Sequence, residues 1–383
     1  MQKNSPSKLP DAGTTIFAVM SKLAQEHGAI NLSQGFPDFE PDDALLARVD
    51  HYLRAGKNQY PPFAGVPELR EAIAEKLKRA GIRADAESEI TVTSGATEAL
   101  FCAIHSLVRA GDEVILFDPA YDSYAPAVAL AGGKCARLAL RPPEYRIDWR
   151  EFAAALGDKT RLVVINTPHN PSATLLARED LDELARALEK TDCRVLSDEV
   201  YEHIIFDGAP HESVLAHPKL RARSFAVFSF GKTYHVTGWK VGYCVAPPDL
   251  SAEFRKIHQF NTYTTVTPMQ WALADFLREP AHYEKLPAFY QAKRDLFGEQ
   301  LAQSRFAPLP ARGTYFQLAD YSAISDQDDM AFAEWMTTEQ KVAVIPMSPF
   351  YAAENRPDAQ IVRFCFAKQD ETLRKAGEIL RAI

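Results

Sequence analysis

The run Phe225-Ala-Val-Phe-Ser229-Phe-Gly-Lys232-Thr233 carries an apolar stretch into small hydroxyl residues grouped around one lysine. The apolar half predicts a buried strand, which leaves Lys232 just beyond its carboxyl end. In open α/β sheets ligands gather outside those ends. A lysine placed there acts as a phosphate clamp or as a Schiff-base amine. A solvated loop charge is the ordinary outcome for a lone lysine after a strand. Other segments displace that outcome here by supplying matching parts.

Six further runs have the same character: Ile90–Thr93, Val114–Asp118, Cys135–Leu140, Arg161–Asn166, Arg194–Asp198 and Val241–Ala246. Helical patterns separate several of them. In Thr97–Arg109 the residues Leu100, Ala103, Ile104, Leu107 and Val108 form one buried stripe, with Gly111 as the expected stop. Strands alternating with helices predict a mainly parallel sheet between two helical layers. Beyond about residue 285 the pattern becomes a smaller α+β unit. It has a helix over Pro287–Gln303, a strand at Thr314–Ala319, a helix near Asp328–Thr338, and strands at Val342–Pro346 and Ile361–Phe366. The first forty residues show no strand ladder of their own. The expected division is therefore 1–40 packing with the small domain, 41–285 as the large domain and 286–383 as the small one.

At 383 residues the chain is long enough for two substantial cores. A net charge of -8 argues against nucleic acid or an anionic membrane surface as the main partner. No run reaches the roughly 18 apolar residues of a membrane span, and the first residues lack the apolar core of a secretory signal. Cys102, Cys135, Cys193, Cys244 and Cys365 are scattered and never in a C-x-x-C pair, which predicts free thiols in a reducing, cytoplasmic compartment. No metal is expected, because His211 and His217 are too far apart for an H-E-x-x-H motif.

Three more strand ends carry polar residues. Thr93-Ser-Gly-Ala-Thr97 turns from a strand into a helix, whose free amides form either an anion cradle or a simple cap closed by Ser94 or Thr97. Asn166-Thr-Pro-His-Asn170-Pro is a turn signal in its own right. Asp198-Glu-Val-Tyr201 places a carboxylate beside the sheet, where it caps a helix or pairs with a cation. Gly231-Lys232-Thr233 imitates the tail of a phosphate-binding P-loop. That motif needs a glycine five residues before its Gly-Lys pair, where this chain has Ala226. No G-x-G-x-x-G fingerprint is present either. An anion cradle, an Asn, an Asp-x-x-Tyr and a Ser-x-x-Lys with Lys240 downstream are together the parts that pyridoxal phosphate requires.

From about Asn31 to Phe366 the chain resembles the class I/II aminotransferases of pyridoxal-phosphate fold type I. The motifs are Asn31-Leu-Ser-Gln-Gly-Phe-Pro-Asp-Phe39, Asn58-Gln-Tyr60, Asn170-Pro, Asp198-Glu-Val-Tyr201, Ser229-Phe-Gly-Lys232-Thr, Gly238-Trp-Lys-Val-Gly242 and Ile361-Val-Arg363. Within the family it is most similar to the kynurenine/glutamine branch and the bacterial methionine aminotransferases. Gly231 and Lys240 stand where the aspartate branch commonly has Ser and Arg.

The resemblance implies a seven-stranded large domain, a smaller α+β domain and a role for each motif residue. Lys232 is implied as Schiff-base lysine and proton shuttle, and Asp198 as partner of the ring nitrogen. Tyr201 and Asn170 are implied at the phenolic oxygen, and Tyr121 as the aromatic stacked on the ring. Gly95, Ala96, Thr97, Ser229 and Lys240 are implied at the phosphate, joined by Tyr60 from a neighbouring subunit of a homodimer with shared sites. Arg363 is implied as the fork on the substrate carboxylate, assisted by Asn170 and Gly35. Ile16, Phe17, Phe36, Tyr60, Tyr121 and Tyr263 of the other subunit are expected to wall an apolar side-chain pocket. The expected reaction is ping-pong transfer of the amino group of methionine or an aromatic amino acid to a 2-oxo acid. A carbon–sulfur β-lyase acting on cysteine conjugates is the alternative. A transcription regulator with an aminotransferase-like sensor would need a DNA-binding domain, for which the motifs leave no room.

Overall fold

Val114-Ile-Leu-Phe117 and Leu162-Val-Val-Ile165 are buried on both faces, and such continuous apolar runs belong to central strands covered by helices on either side. The computed structural model describes residues 6–10 and 12–383. Its main sheet has seven strands. They lie in the order Ile90–Thr93, Gly242–Val245, Ser224–Ser229, Arg194–Asp198, Thr160–Asn166, Glu113–Asp118 and Lys134–Ala139. All run parallel except Gly242–Val245, which is antiparallel to both neighbours. The fold is thus α/β with a mixed, mostly parallel sheet.

The helix after the first strand spans Gly95–Leu107, two residues earlier at each end than its apolar stripe predicts. Gly111 does not stop it. Val108 turns extended and buries its side chain, and Gly111, at φ +89°, reverses the loop beyond and donates to the Gly132 carbonyl. Burying a branched apolar side chain outweighs continuing the helix by one residue.

A second sheet has four antiparallel strands in the order Ile345–Pro346, Ile361–Cys365, Phe316–Asp320 and Ala307–Pro308. The helices Leu286–Ala302 and Asp370–Ala382 pack on each other beside it. The single strand predicted over Val342–Pro346 is two. Val342–Ala343 pairs in parallel with Ile30–Asn31, and Ile345–Pro346 joins the four-stranded sheet. The first forty residues therefore do carry a short strand, and the helix Ile16–His27 lies against Asp329–Thr338. Among the described residues no helix is long and apolar enough to cross a membrane.

Candidate active site

The carboxyl ends of Arg194–Asp198, Thr160–Asn166 and Ser224–Ser229 open on a cavity of about 160 Å³. Gly95, Ala96, Thr97, Tyr121, Asn170, Asp198, Tyr201, Ser229, Lys232 and Lys240 all line it. At one end the helix Gly95–Leu107 begins without a side-chain cap from Ser94, so its first amides face the cavity. Gly95, at φ +77°, makes the sharp entry, and the Lys240 amine lies against it, 3.3 Å from where a Cβ would stand. Gly242 is equally constrained, since a Cβ there would meet the Ala96 nitrogen at 2.9 Å and the Phe228 carbonyl at 2.6 Å. Amides, a lysine and the Ser229 hydroxyl converge on one spot, which suits a phosphate.

Glu98 ties this helix start to the Tyr60 loop. It accepts from the Ser94 amide at 2.6 Å and pairs with His258 Nδ1 at 2.7 Å, while His258 Nε2 reaches the Phe63 carbonyl at 2.8 Å. Burial pushes the Glu98 carboxyl up, and its bonds to His258 and the Ser94 amide more than offset that, leaving it below the usual range.

Across the cavity Asp198 is 4% exposed and forms no ion pair among the described residues. It accepts the Tyr124 hydroxyl at 2.7 Å and the Val200 amide at 3.4 Å. Burial raises its carboxyl to about 6, with the Tyr124 bond pulling the other way. A buried carboxylate that lacks a cation is matched by a protonated ring nitrogen. Asn166 spans the neighbouring strand ends. Its amide donates to the Asp198 carbonyl at 2.7 Å, and its oxygen accepts the Asn170 amide at 2.7 Å.

Lys232 sits in the short helix Phe230–Thr233 and donates to the Gly35 carbonyl at 3.2 Å and to the Tyr315 hydroxyl at 3.0 Å. Burial lowers its amine to about 8. Arg363 is fully buried in the strand Ile361–Cys365. It donates to Asn170 Oδ1 at 2.6 Å and to the Ser33 carbonyl at 3.3 Å, and its Nε has no partner among the described residues. Its guanidinium lies 3.9 Å from the centre of the Phe316 ring, with Phe17 and Phe350 at 5.3 and 5.5 Å. Burial lowers it to about 10, so it remains a cation at neutral pH. Asp122 acts on it only at a distance, and a buried cation with a free donor and no ion pair among the described residues is suited to an anion from outside.

Most residues expected from the sequence thus meet at one place. Phe17 reaches it through Arg363. Gly35, expected to assist the carboxylate fork through its backbone, presents its carbonyl to Lys232 and Tyr315. Tyr60 and Tyr263 are 83% and 42% exposed, touch each other edge-on at 5.6 Å, and are absent from the cavity lining. Tyr315, Tyr124 and Asn166 were not expected. Asn166 carried a signal in its own turn motif, whereas nothing in the local sequence marks the two tyrosines. The residues present fit pyridoxal phosphate: a phosphate cradle at one end, an uncompensated carboxylate at the other, and a lysine between them.

The family model for aminotransferases of class I and II matches residues 27–380. Methionine aminotransferase of Escherichia coli (strain K12) is 58% identical over 379 residues, covering 98% of each chain. Kynurenine–oxoglutarate transaminase of Dictyostelium discoideum is 35% identical over 418 residues, covering 98% of this chain and 95% of that one. The crystal structure of YbdL from Escherichia coli, reported with a methionine aminotransferase function, aligns at a TM-score of 0.97 with 57% identity, covering 99% of both chains. With the lysine, the carboxylate and the phosphate cradle on one cavity, these likenesses make the chain a member of the class I and II aminotransferases, enzymes that depend on pyridoxal phosphate.

Proposed function

We propose that this enzyme moves the amino group of methionine and aromatic amino acids to a 2-oxo acid. The observation that carries the proposal is the unpaired Arg363 set among Phe17, Phe316 and Phe350 beside Lys232. It offers one carboxylate site with apolar surroundings. The 58% identical relative acts on methionine by its name, which supports the same donor class.

Bound pyridoxal phosphate supplies a ring that takes up the electron pair left at the substrate Cα. The chain's own residues do the rest. Gly95, Ala96, Thr97, Ser229 and Lys240 would hold the phosphate, with Tyr60 of a second copy. Asp198 would pair with the ring nitrogen, Tyr201 and Asn170 would donate to the phenolic oxygen, and Tyr121 would pack against the ring. Lys232 would hold the cofactor at rest and carry the proton to and from the substrate Cα. Arg363 takes the carboxylate in a two-donor fork, which orients the Cα–H bond toward Lys232.

The domain reading is a cofactor-binding part over 41–285 and a smaller part over 286–383, with residues 1–40 packing on the latter. Residues 1–5 and 11 lie outside the described residues. The five free cysteines suit a reducing compartment, the cytoplasm. The test is a panel of single half-reactions, one amino acid at a time, followed by loss of the lysine-linked visible absorbance. Methionine, phenylalanine and tyrosine are expected to react fastest, and a strong preference for aspartate would refute the assignment. Pyruvate and thiol release from a cysteine conjugate, measured alongside, reports any β-lyase activity.

A further inference from the structure

Tyr315 has the environment of a core aromatic and a contact no core aromatic needs. Its side chain is fully buried, edge-on to Tyr201 at 5.2 Å and to Phe316 at 4.9 Å. The backbone before it allows little movement. A Cβ at Gly313 would meet Leu175 and Pro168 side-chain atoms at 2.8 Å. Thr314 sits at φ +64° and donates its amide to the Ile204 carbonyl at 2.8 Å. The hydroxyl is therefore delivered to one point. There it donates its single proton to the Gly35 carbonyl at 2.7 Å, which leaves its lone pairs facing Lys232 Nζ at 3.0 Å.

We propose that Tyr315 is a positioning residue for the reactive lysine, holding the free Lys232 amine between its hydroxyl oxygen and the Gly35 carbonyl whenever that amine is not linked to cofactor. Two acceptors and no donor face the amine from this side, so the arrangement favours its protonated form. Burial acts in the opposite direction, and the balance sets a lysine able to give and take a proton near neutral pH. Burial also keeps the Tyr315 phenol far above its ordinary value, so it stays a neutral acceptor and does not compete as a base. The other titratable groups acting on Lys232 are Cys365, Lys240, Arg363 and Asp198, and the Tyr201 ring lies 5.7 Å away. None of these forms a hydrogen bond with the amine, and among the described residues only Tyr315 and Gly35 fix its direction. Gly35 lies two residues from Ser33, which receives Arg363, so the loop that helps seat the carboxylate clamp also seats the lysine.

The proposal rests on Lys232 being the reactive amine. Its test is the pH dependence of Lys232 acylation, read by mass spectrometry, in the full-length protein stripped of cofactor. The measurement is repeated on the holoenzyme after a donor amino acid has released the lysine. In Tyr315→Phe the labelling midpoint should fall by about one pH unit, because the ammonium form loses a charge-assisted acceptor. Tyr290→Phe is the control. Its ring neighbours Tyr315 at 5.7 Å and its buried hydroxyl has no partner, so its loss should leave the midpoint in place. Should Tyr315→Phe fail to fold, site-specific Tyr315→3-fluorotyrosine keeps the shape and weakens the acceptor, and a smaller fall is expected. An unmoved or rising midpoint in a folded variant overturns the proposal. If instead the parent protein never forms the lysine-linked absorbance with pyridoxal phosphate, it is the role of Lys232 that fails.

Discussion

Replacing Asp198 with Asn should stabilise the cofactor-free protein while disabling the enzyme. Asp198 is buried and, among the described residues, accepts only from the Tyr124 hydroxyl and the Val200 amide and forms no ion pair. Its carboxyl is raised from 3.8 to about 6, mainly by burial. For an acid shifted upward, the folded state binds the proton more tightly than the unfolded chain. Stability is therefore unaffected below pH 3.8, falls as pH climbs from 3.8 to about 6, and stays lowered above that. Two units at 1.36 kcal/mol each make the penalty about 3 kcal/mol at neutral pH. Asparagine removes the charge and keeps an oxygen for Tyr124. Cofactor-free Asp198→Asn should thus melt about 4 °C above the parent at pH 7.5, given the unfolding entropy of a chain this long. The difference should vanish near pH 3.5. Once cofactor is bound the sign reverses, because the ring-nitrogen cation then compensates the carboxylate, so the variant should lose cofactor affinity and turnover. Thermal unfolding of both proteins across pH, with and without pyridoxal phosphate, reads all three effects. Equal or lower melting of the cofactor-free variant at pH 7.5, or a gain that persists at pH 3.5, would refute the reasoning.

Three further outcomes follow from the site. Lys232→Ala should abolish the lysine-linked absorbance and turnover together, and normal turnover in that variant would sink the mechanism. Arg363→Lys keeps the charge but loses the fork, at a cost of about 1.5–3 kcal/mol for one charge-assisted bond. That corresponds to a fall of roughly 10- to 150-fold in kcat/KM for methionine, and a change within threefold speaks against the clamp. Tyr60, Phe260 and Tyr263 are 83%, 85% and 42% exposed on the single chain. Sedimentation should give twice the 42.7 kDa chain mass, and Tyr60→Phe should weaken cofactor binding. A fully active species of single-chain mass would argue against a shared site.

Much of the large sheet was legible because fully buried parallel strands leave continuous apolar runs, as at Val114–Phe117 and Leu162–Ile165. Boundaries were less so. Val108 leaves the helix and Val342–Pro346 divides between two sheets because neighbours distant in sequence decide which surface each residue buries. Lys232, Asp198 and Asn170 drew notice because polar residues at or near the carboxyl ends of apolar strands are conspicuous, while their roles came from the family resemblance. Tyr315 and Tyr124 were not, since a tyrosine among apolar residues has the same local pattern whether its hydroxyl is idle, as in Tyr290, or engaged.

The sequence by itself determined the alternation of strands and helices, the lysine beyond a strand end, and the failure of the phosphate-loop alternative at Ala226. Local spacing is enough for these, because strand and helix periods are properties of neighbouring residues. Only the tertiary structure decided that Tyr315 and Gly35, 280 residues apart, hold one amine between them. It alone decided that Asp198 and Arg363 are each buried without an ion pair among the described residues. The energy of a polar group depends on what surrounds it after folding, and that is set by contacts that no local pattern records.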